Sequence, residues 1–343
     1  MADSEELCCG CADLASEDEY NLGLHIGAIF ILFAVSTAGT ALPVLSKKVP
    51  MLAAKSMVMQ WLMVFGFGVV IATGFIHMMN EGIEMLSNPC LGEVVENYES
   101  LGMVIVLGTI VVMHLIECES AVFFAGQGSP HGHGHGHGHT HGHIHDVHHT
   151  PLPVTTSVSS PALTDDEHPY HDKLMLAPTS SPDAKRKVAA VLFEVGVIFH
   201  SVVVGVDLGV TASTEFQTLL AAMCFHQFFE GIAISSSMLG AIESFKNVLL
   251  MNLAFAVTTP LGMVVGIGIR STYSSTSVTA LWVQGVLNCV AGGILLYTGL
   301  VELLTYHMTT NPEFLQRSAL QRFALYFACW LGAGAMALIG KWA

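Results

Sequence analysis

The ten residues FHQFFEGIAI, 225 to 234, place an imidazole at His226, an amide at Gln227 and a carboxylate at Glu230, far from any Lys or Arg. His226 and Glu230 are four positions apart, so on a helix they share one face. A second stretch, VLFEVGVIFHSVVVGVDLGV at 191 to 210, carries Glu194, His200, Ser201 and Asp207 among aliphatic residues. Two imidazoles and a carboxylate form a borderline-soft donor set suited to a divalent transition metal, with positions left for water or a weak ligand. The chemistry these residues offer is reversible binding of a dication.

The elements that must position them are set by the medium. Of 343 residues 52% are hydrophobic and 11% charged, with a mean hydropathy of +0.59. That composition is too apolar for a soluble domain of this length and specifies an all-α integral membrane protein. Eight apolar runs are long enough to span a bilayer: 22–45, 57–83, 101–124, 188–210, 218–239, 248–269, 279–304 and 323–340. Segments 4 and 5 are joined by only a few residues and must be antiparallel neighbours. At about 1.5 Å per residue, His200 lies roughly 18 Å along segment 4, and His226 and Glu230 bracket the same depth on segment 5. Gly205, Gly209 and Gly231 are expected to let these two segments approach closely. Pro260, after Thr258 and Thr259, is expected to kink segment 6. Intramembrane polar groups are costly, so each is a functional candidate.

Lys47, Lys48, Lys55, Lys173, Lys185, Arg186, Lys187, Lys246, Arg317 and Arg322 fall in alternate connections, against Arg270 and Lys341 on the other side. Basic residues accumulate in cytosolic loops, so both termini are expected outside the cytosol. The formal net charge is −15. The outer side is acidic, with seven carboxylates before Asn21 and Glu81, Glu84, Glu93, Glu96 and Glu99 around the second outer connection. Such a face concentrates cations. The chain divides into an acidic, Cys-containing outer tail (1–21), helices 1–3 (22–124), a cytosolic loop (125–187) and helices 4–8 (188–343). The tail lacks the basic start and apolar core of a cleavable signal. Cys8, Cys9 and Cys11 lie on the same side as Cys90, which fits either a disulfide to the outer loop or a soft-metal tail. Cys118, Cys224, Cys289 and Cys329 sit in apolar segments and read as packing residues.

The loop is rich in Gly, His, Pro, Ser and Thr and cannot bury a core. It contains HGHGHGHGHTHGHIHDVHH, with imidazoles at His131, His133, His135, His137, His139, His141, His143, His145, His148 and His149. Neutral imidazole binds Zn, Cu, Ni and Fe, which points to buffering or sensing of metal rather than to the transport site itself.

The stretches HSVVVGVDLG and FHQFFEGIAI resemble the fourth and fifth segments of the ZIP (Zrt/Irt-like) metal transporters. ATGFIHMMNEGIEML, TTPLGMVVGIGI and VQGVLNCVAGGILLYTGLVELL resemble its second, sixth and seventh. The resemblance implies a ZIP-type bundle of the iron-regulated-transporter-like branch, with His200, His226 and Glu230 as the transport site and Ser201 and Gln227 beside it. It also implies elevator-like movement of segments 4 and 5 with their neighbours. Members with two metals carry carboxylates where this chain has Val204 and Gln227, so one transported ion is expected. Asp207, two turns above His200, is expected to widen the ligand set toward the outer mouth. His77 and Glu81 resemble the family's entrance positions.

Toward the cytosol, His114, Glu117 and Glu194 are expected to serve the exit, with Glu119 and Glu302 either on that route or at the headgroups. His114 either lines the exit or bonds a neighbouring helix. His25 and His307 are expected at the interface. The reading is an importer of Zn2+ or Fe2+, with Mn2+, Cd2+ and Co2+ in the same chemical range, and no resident cofactor. An inside-negative membrane favours import, by about 4.6 kcal/mol per 100 mV for a dication. The plasma membrane is the expected location, with an internal membrane as alternative. The lipid bilayer, the metal ions and a second copy of the chain are the expected partners, and nucleic acid is not one. Two other readings are an exporter of the cation-diffusion-facilitator kind, typically with six spans, and an intramembrane zinc protease. A protease would need a motif such as H-E-x-x-H, which the chain lacks.

Overall fold

The computed structural model describes residues 9–10, 20–46, 56–127 and 182–341. The histidine-rich tract falls outside the described residues, as do Cys8 and Cys11. Eight helices are long and apolar enough to cross a membrane. They are α1 (Leu22–Leu45), α2 (Met57–Leu86), α3 (Leu101–Gln127), α4 (Pro182–Val210), α5 (Ser213–Ala241), α6 (Phe245–Ile269), α7 (Val278–Thr309) and α8 (Ala319–Ile339). Each expected segment is found, with ends that differ by a few residues. Their starts are set by side-chain caps where the chain supplies them: Asn21 accepts from the Leu24 amide, Ser56 from Met59, and Ser318 forms a full capping box with Gln321.

Two of these helices are not α-helical throughout. A π-helical stretch runs over Thr73–Met79 in α2 and another over Thr298–Thr309 in α7. Such i→i+5 turns are rare and concentrate at functional sites. Pro260 is accommodated inside α6, where the Thr258 hydroxyl donates to the Phe255 carbonyl at 2.9 Å.

The helices form two groups. In one, α4 runs along α6, and α1 runs along α5 and α6; in the other, α2 runs along α8 and α3 along α7. The groups meet where α2 contacts α5 and α7 contacts α4. Glycine closes the contacts within the first group. Gly205 abuts the Thr259 carbonyl, and a Cβ on Gly209 would lie 2.6 Å from the Met263 carbonyl oxygen, both on α6. Gly231 faces α1, where a Cβ would lie 3.1 Å from the Thr40 nitrogen. The expectation that these glycines join α4 to α5 is therefore corrected. Five residues separate His200 from Gly205 and His226 from Gly231, a rotation of roughly 140° about a helix axis. The face of α4 toward α5 carries bulky imidazole, and the small residues lie at the back.

His25 lies in the first turn of α1. It is fully buried, with ring nitrogens 2.8 Å from the Asn21 carbonyl and 3.0 Å from the Thr211 carbonyl, and it packs between Tyr20 and Phe216. It thereby ties the start of α1 to the α4–α5 turn. On the same side, Cys9 and Cys90 form a disulfide with Cα atoms 5.5 Å apart, joining the tail to the α2–α3 connection. Of the two readings open for this cysteine cluster, the disulfide is found for Cys9.

Candidate metal site

His200 of α4 and His226 and Glu230 of α5 converge where the sequence places them. One donor atom from each lies within 4.8 Å of the others, and all three side chains are buried. Among the described residues this is the one group of three or more His, Cys, Asp or Glu whose donors approach so closely. The two imidazoles have centroids 5.7 Å apart.

The cluster is short of hydrogen bonds. Both ring nitrogens of His200 and of His226, both oxygens of Glu230, the Ser201 hydroxyl and both polar atoms of Gln227 are buried without a partner. A buried polar group with no partner costs roughly 1–3 kcal/mol, more when charged, so such a concentration needs an account. A dehydrated dication would supply the missing partner to several of these atoms at once.

Sequence reasoning placed His77 at the mouth. In the fold it belongs to the cluster's edge: its ring centroid is 5.7 Å from His200 and 5.9 Å from His226, and its Nε2 is also buried without a partner. Thr73, one turn earlier in the same π-helical stretch, faces the Glu230 carboxylate without reaching hydrogen-bond geometry. The sequence reading missed Thr73, because a lone threonine in an apolar segment carries no signal of its own. Five side chains from three helices, His77, Thr73, His200, His226 and Glu230, thus surround one point on the seam between the two groups.

Asp207 is not part of that cluster. Its Oδ1 accepts from Gln284 Nε2 of α7 at 3.0 Å; the single proton of the Tyr273 hydroxyl is shared between Gln284 Oε1 at 3.1 Å and Asp207 Oδ1 at 3.5 Å. Burial, and then the Asp207 charge, push the Tyr273 phenol above its ordinary range. Glu81 lies within electrostatic reach of both Asp207 and Glu84. This half of the seam is therefore acidic, and neither Tyr273 nor Gln284 was foreseen.

On the other half, Glu194 is buried on α4, six residues from His200. His114 bonds a neighbouring helix, one of its two expected roles: its Nδ1 lies 3.0 Å from the Tyr297 hydroxyl of α7, which donates in turn to Glu117. Cys118 lies 3.6 Å from His114 Nε2. Glu119 is exposed. His307 bonds the Leu303 carbonyl at 2.9 Å and packs on Phe67.

Eight apolar spans around a buried cluster of imidazoles and a carboxylate define a polytopic membrane protein. The chain belongs to the ZIP family, a family of transporters rather than enzymes: the family model described as ZIP Zinc transporter matches residues 22–340. The chain is 34% identical to Zinc transporter 5 of Oryza sativa subsp. japonica, over 98% of this chain and 92% of that protein. It is 34% identical to Zinc-regulated transporter 1 of Saccharomyces cerevisiae, over 95% and 89%. It is also 32% identical to Fe(2+) transport protein 1 of Arabidopsis thaliana, over 94% and 86%.

Proposed function

We propose that this protein carries a divalent transition metal, zinc or ferrous iron, into the cytosol, with His200, His226 and Glu230 as its intramembrane ligands. The observation that carries the reading is the convergence of three buried donors within 4.8 Å of one another, with no hydrogen-bond partner for any of them. The names of relatives on both sides of the zinc–iron divide support both metals as cargo.

The chemistry follows from the donor types. A dication reaching the middle of the membrane loses most of its water, and the neutral imidazoles of His200 and His226 replace oxygen donors there. Glu230 supplies the compensating charge. Ser201 and Gln227 flank the site with neutral dipoles. Val204, at the position of the bridging carboxylate in two-metal members, is buried in an apolar cluster with Leu32, Leu208 and Met263, which supports a single ion. Glu81 and Asp207 gather cations from the outer side, and Glu194, Glu117 and His114 line the way to the cytosol.

This direction assumes both termini outside, the orientation favoured by the placement of Lys and Arg. The tract from His131 to His149 is then cytosolic and buffers arriving metal. We place the protein in the plasma membrane, and a second copy of the chain as its partner in a homodimer. The test is uptake of radiolabelled zinc and ferrous iron by cells expressing the protein, each competed by the other. Equal uptake in expressing and control cells, with the protein at the surface, would reject the proposal.

A further inference from the structure

On the cytosolic side of the cluster, α4, α5 and α7 line a partly open cavity of about 30 Å3. That is room for a water molecule or a bare ion. Its walls include Ser236 and Ser237 of α5 and Glu302, Tyr306 and His307 of α7. Ser236 follows Glu230 by six residues, about 9 Å along α5. Its hydroxyl is buried and has no hydrogen-bond partner. Hydroxyl, carboxylate and imidazole donors suit a departing dication.

The remaining polar wall has the wrong sign for that purpose. Arg186, near the start of α4, borders the same cavity. Its guanidinium carbon stands 4.2 Å over the centroid of the Tyr306 ring. It rests on bare backbone at Gly240, where a Cβ would lie 2.6 Å from Nη2. The neighbouring Lys187 pairs at 2.9 Å with Glu243, which follows the end of α5. An arginine serving only as a membrane anchor would extend toward the headgroups. This one folds inward, onto an aromatic face and a glycine that leaves space for it. Arginine does not lose its charge at any physiological pH, so it opposes a cation leaving through this cavity for as long as it stays there.

We propose that Arg186, held by the face of Tyr306, is a lid that closes the cytosolic vestibule and sets the rate at which metal is released. The proposal rests on the uptake reading above and extends it to a residue that binds no metal. Release requires the stack to open, and the charge of the guanidinium keeps cytosolic cations from occupying the vestibule meanwhile.

The test uses the full chain with Ser236→Cys as reporter, in inside-out vesicles exposed to a small cationic methanethiosulfonate. Reaction at the native cysteines is subtracted using the chain that retains Ser236. Arg186→Gln and Tyr306→Leu should each speed modification by about two- to fivefold, the rate equivalent of a guanidinium–aromatic contact. Tyr306→Phe keeps the ring face and should react like the reporter alone. In a Ser236 background, the first two variants should raise the maximal rate of zinc uptake per surface molecule, and Tyr306→Phe should not. Unchanged accessibility in Arg186→Gln, or equal opening by Tyr306→Phe and Tyr306→Leu, overturns the lid. Absence of zinc and iron uptake by the wild-type chain would instead strike the uptake reading, and the accessibility rates would still decide the lid.

Discussion

His77 and His200 stand edge to face, with ring centroids 5.7 Å apart and planes at 87°, although they belong to opposite groups of helices. The candidate site therefore straddles the seam rather than lying inside either group. Any displacement of α4 and α5 against α2 changes how many imidazoles a bound ion meets. That is a direct route from helix movement to metal affinity.

Glu230 should be the most sensitive position. Glu230→Ala leaves a dehydrated dication without its counter-charge, a change of roughly 3–5 kcal/mol when one partner of a buried charge pair is removed. Uptake of zinc and iron should fall at least about 100-fold at matched surface level. Glu230→Asp keeps the charge and withdraws it by one methylene, so uptake should fall or the zinc-to-iron ratio shift. Gln227→Ala removes only a neutral dipole and should be milder. Wild-type flux and selectivity in both Glu230 variants would mean that the ion passes elsewhere.

The place of His77 predicts a share in ion binding. His77→Ala should weaken metal binding by about 10–100-fold, the range seen when a group supporting the ligand set is lost. Combined with His200→Ala, its effect should be less than the product of the two separate effects, because both act on one ion. Calorimetric zinc titration of the purified variants reads both quantities. Unaltered affinity in His77→Ala would return this residue to the role of an entrance group.

The histidine tract should prove dispensable for transport. A chain lacking residues 131 to 149 should take up metal with wild-type affinity, while its regulation at high metal changes. The same deletion makes metal analysis of the purified protein informative. With Val204 and Gln227 in place of carboxylates, one intramembrane ion per chain is expected. Loss of uptake in correctly inserted protein would contradict the first expectation, and two bound ions the second.

The Cys9–Cys90 disulfide offers a test of orientation. Disulfides persist in oxidising compartments and not in the cytosol. On intact cells, a membrane-impermeant reductant and then an impermeant thiol label should mark the chain, and Cys9→Ser with Cys90→Ser should remove that increment. If labelling requires permeabilised cells, the tail and the α2–α3 connection face the cytosol and the direction of transport must be reconsidered.

Much of this was legible without coordinates. Apolar run length alone locates all eight spans, because a helix must be long enough to cross the hydrocarbon. The helical repeat places His226 and Glu230 on one face, and the short α4–α5 turn brings His200 to their depth. Three other relationships were decided only by tertiary structure. Gly205 and Gly209 serve α6 and Gly231 serves α1, because the choice of neighbour depends on the rotation of helices distant in sequence. His114 and Glu117 are joined through Tyr297, which lies 180 residues from Glu117. His77 turns inward to the cluster from a π-helical stretch in α2. A π turn adds a residue to the helical turn and rotates the rest of the helix by roughly 100° relative to a 3.6-residue count. The entrance role expected for His77 rests on resemblance and on its place along the segment, and neither carries the direction in which the ring turns; that direction is fixed by the local helix geometry and by the helices packed against it.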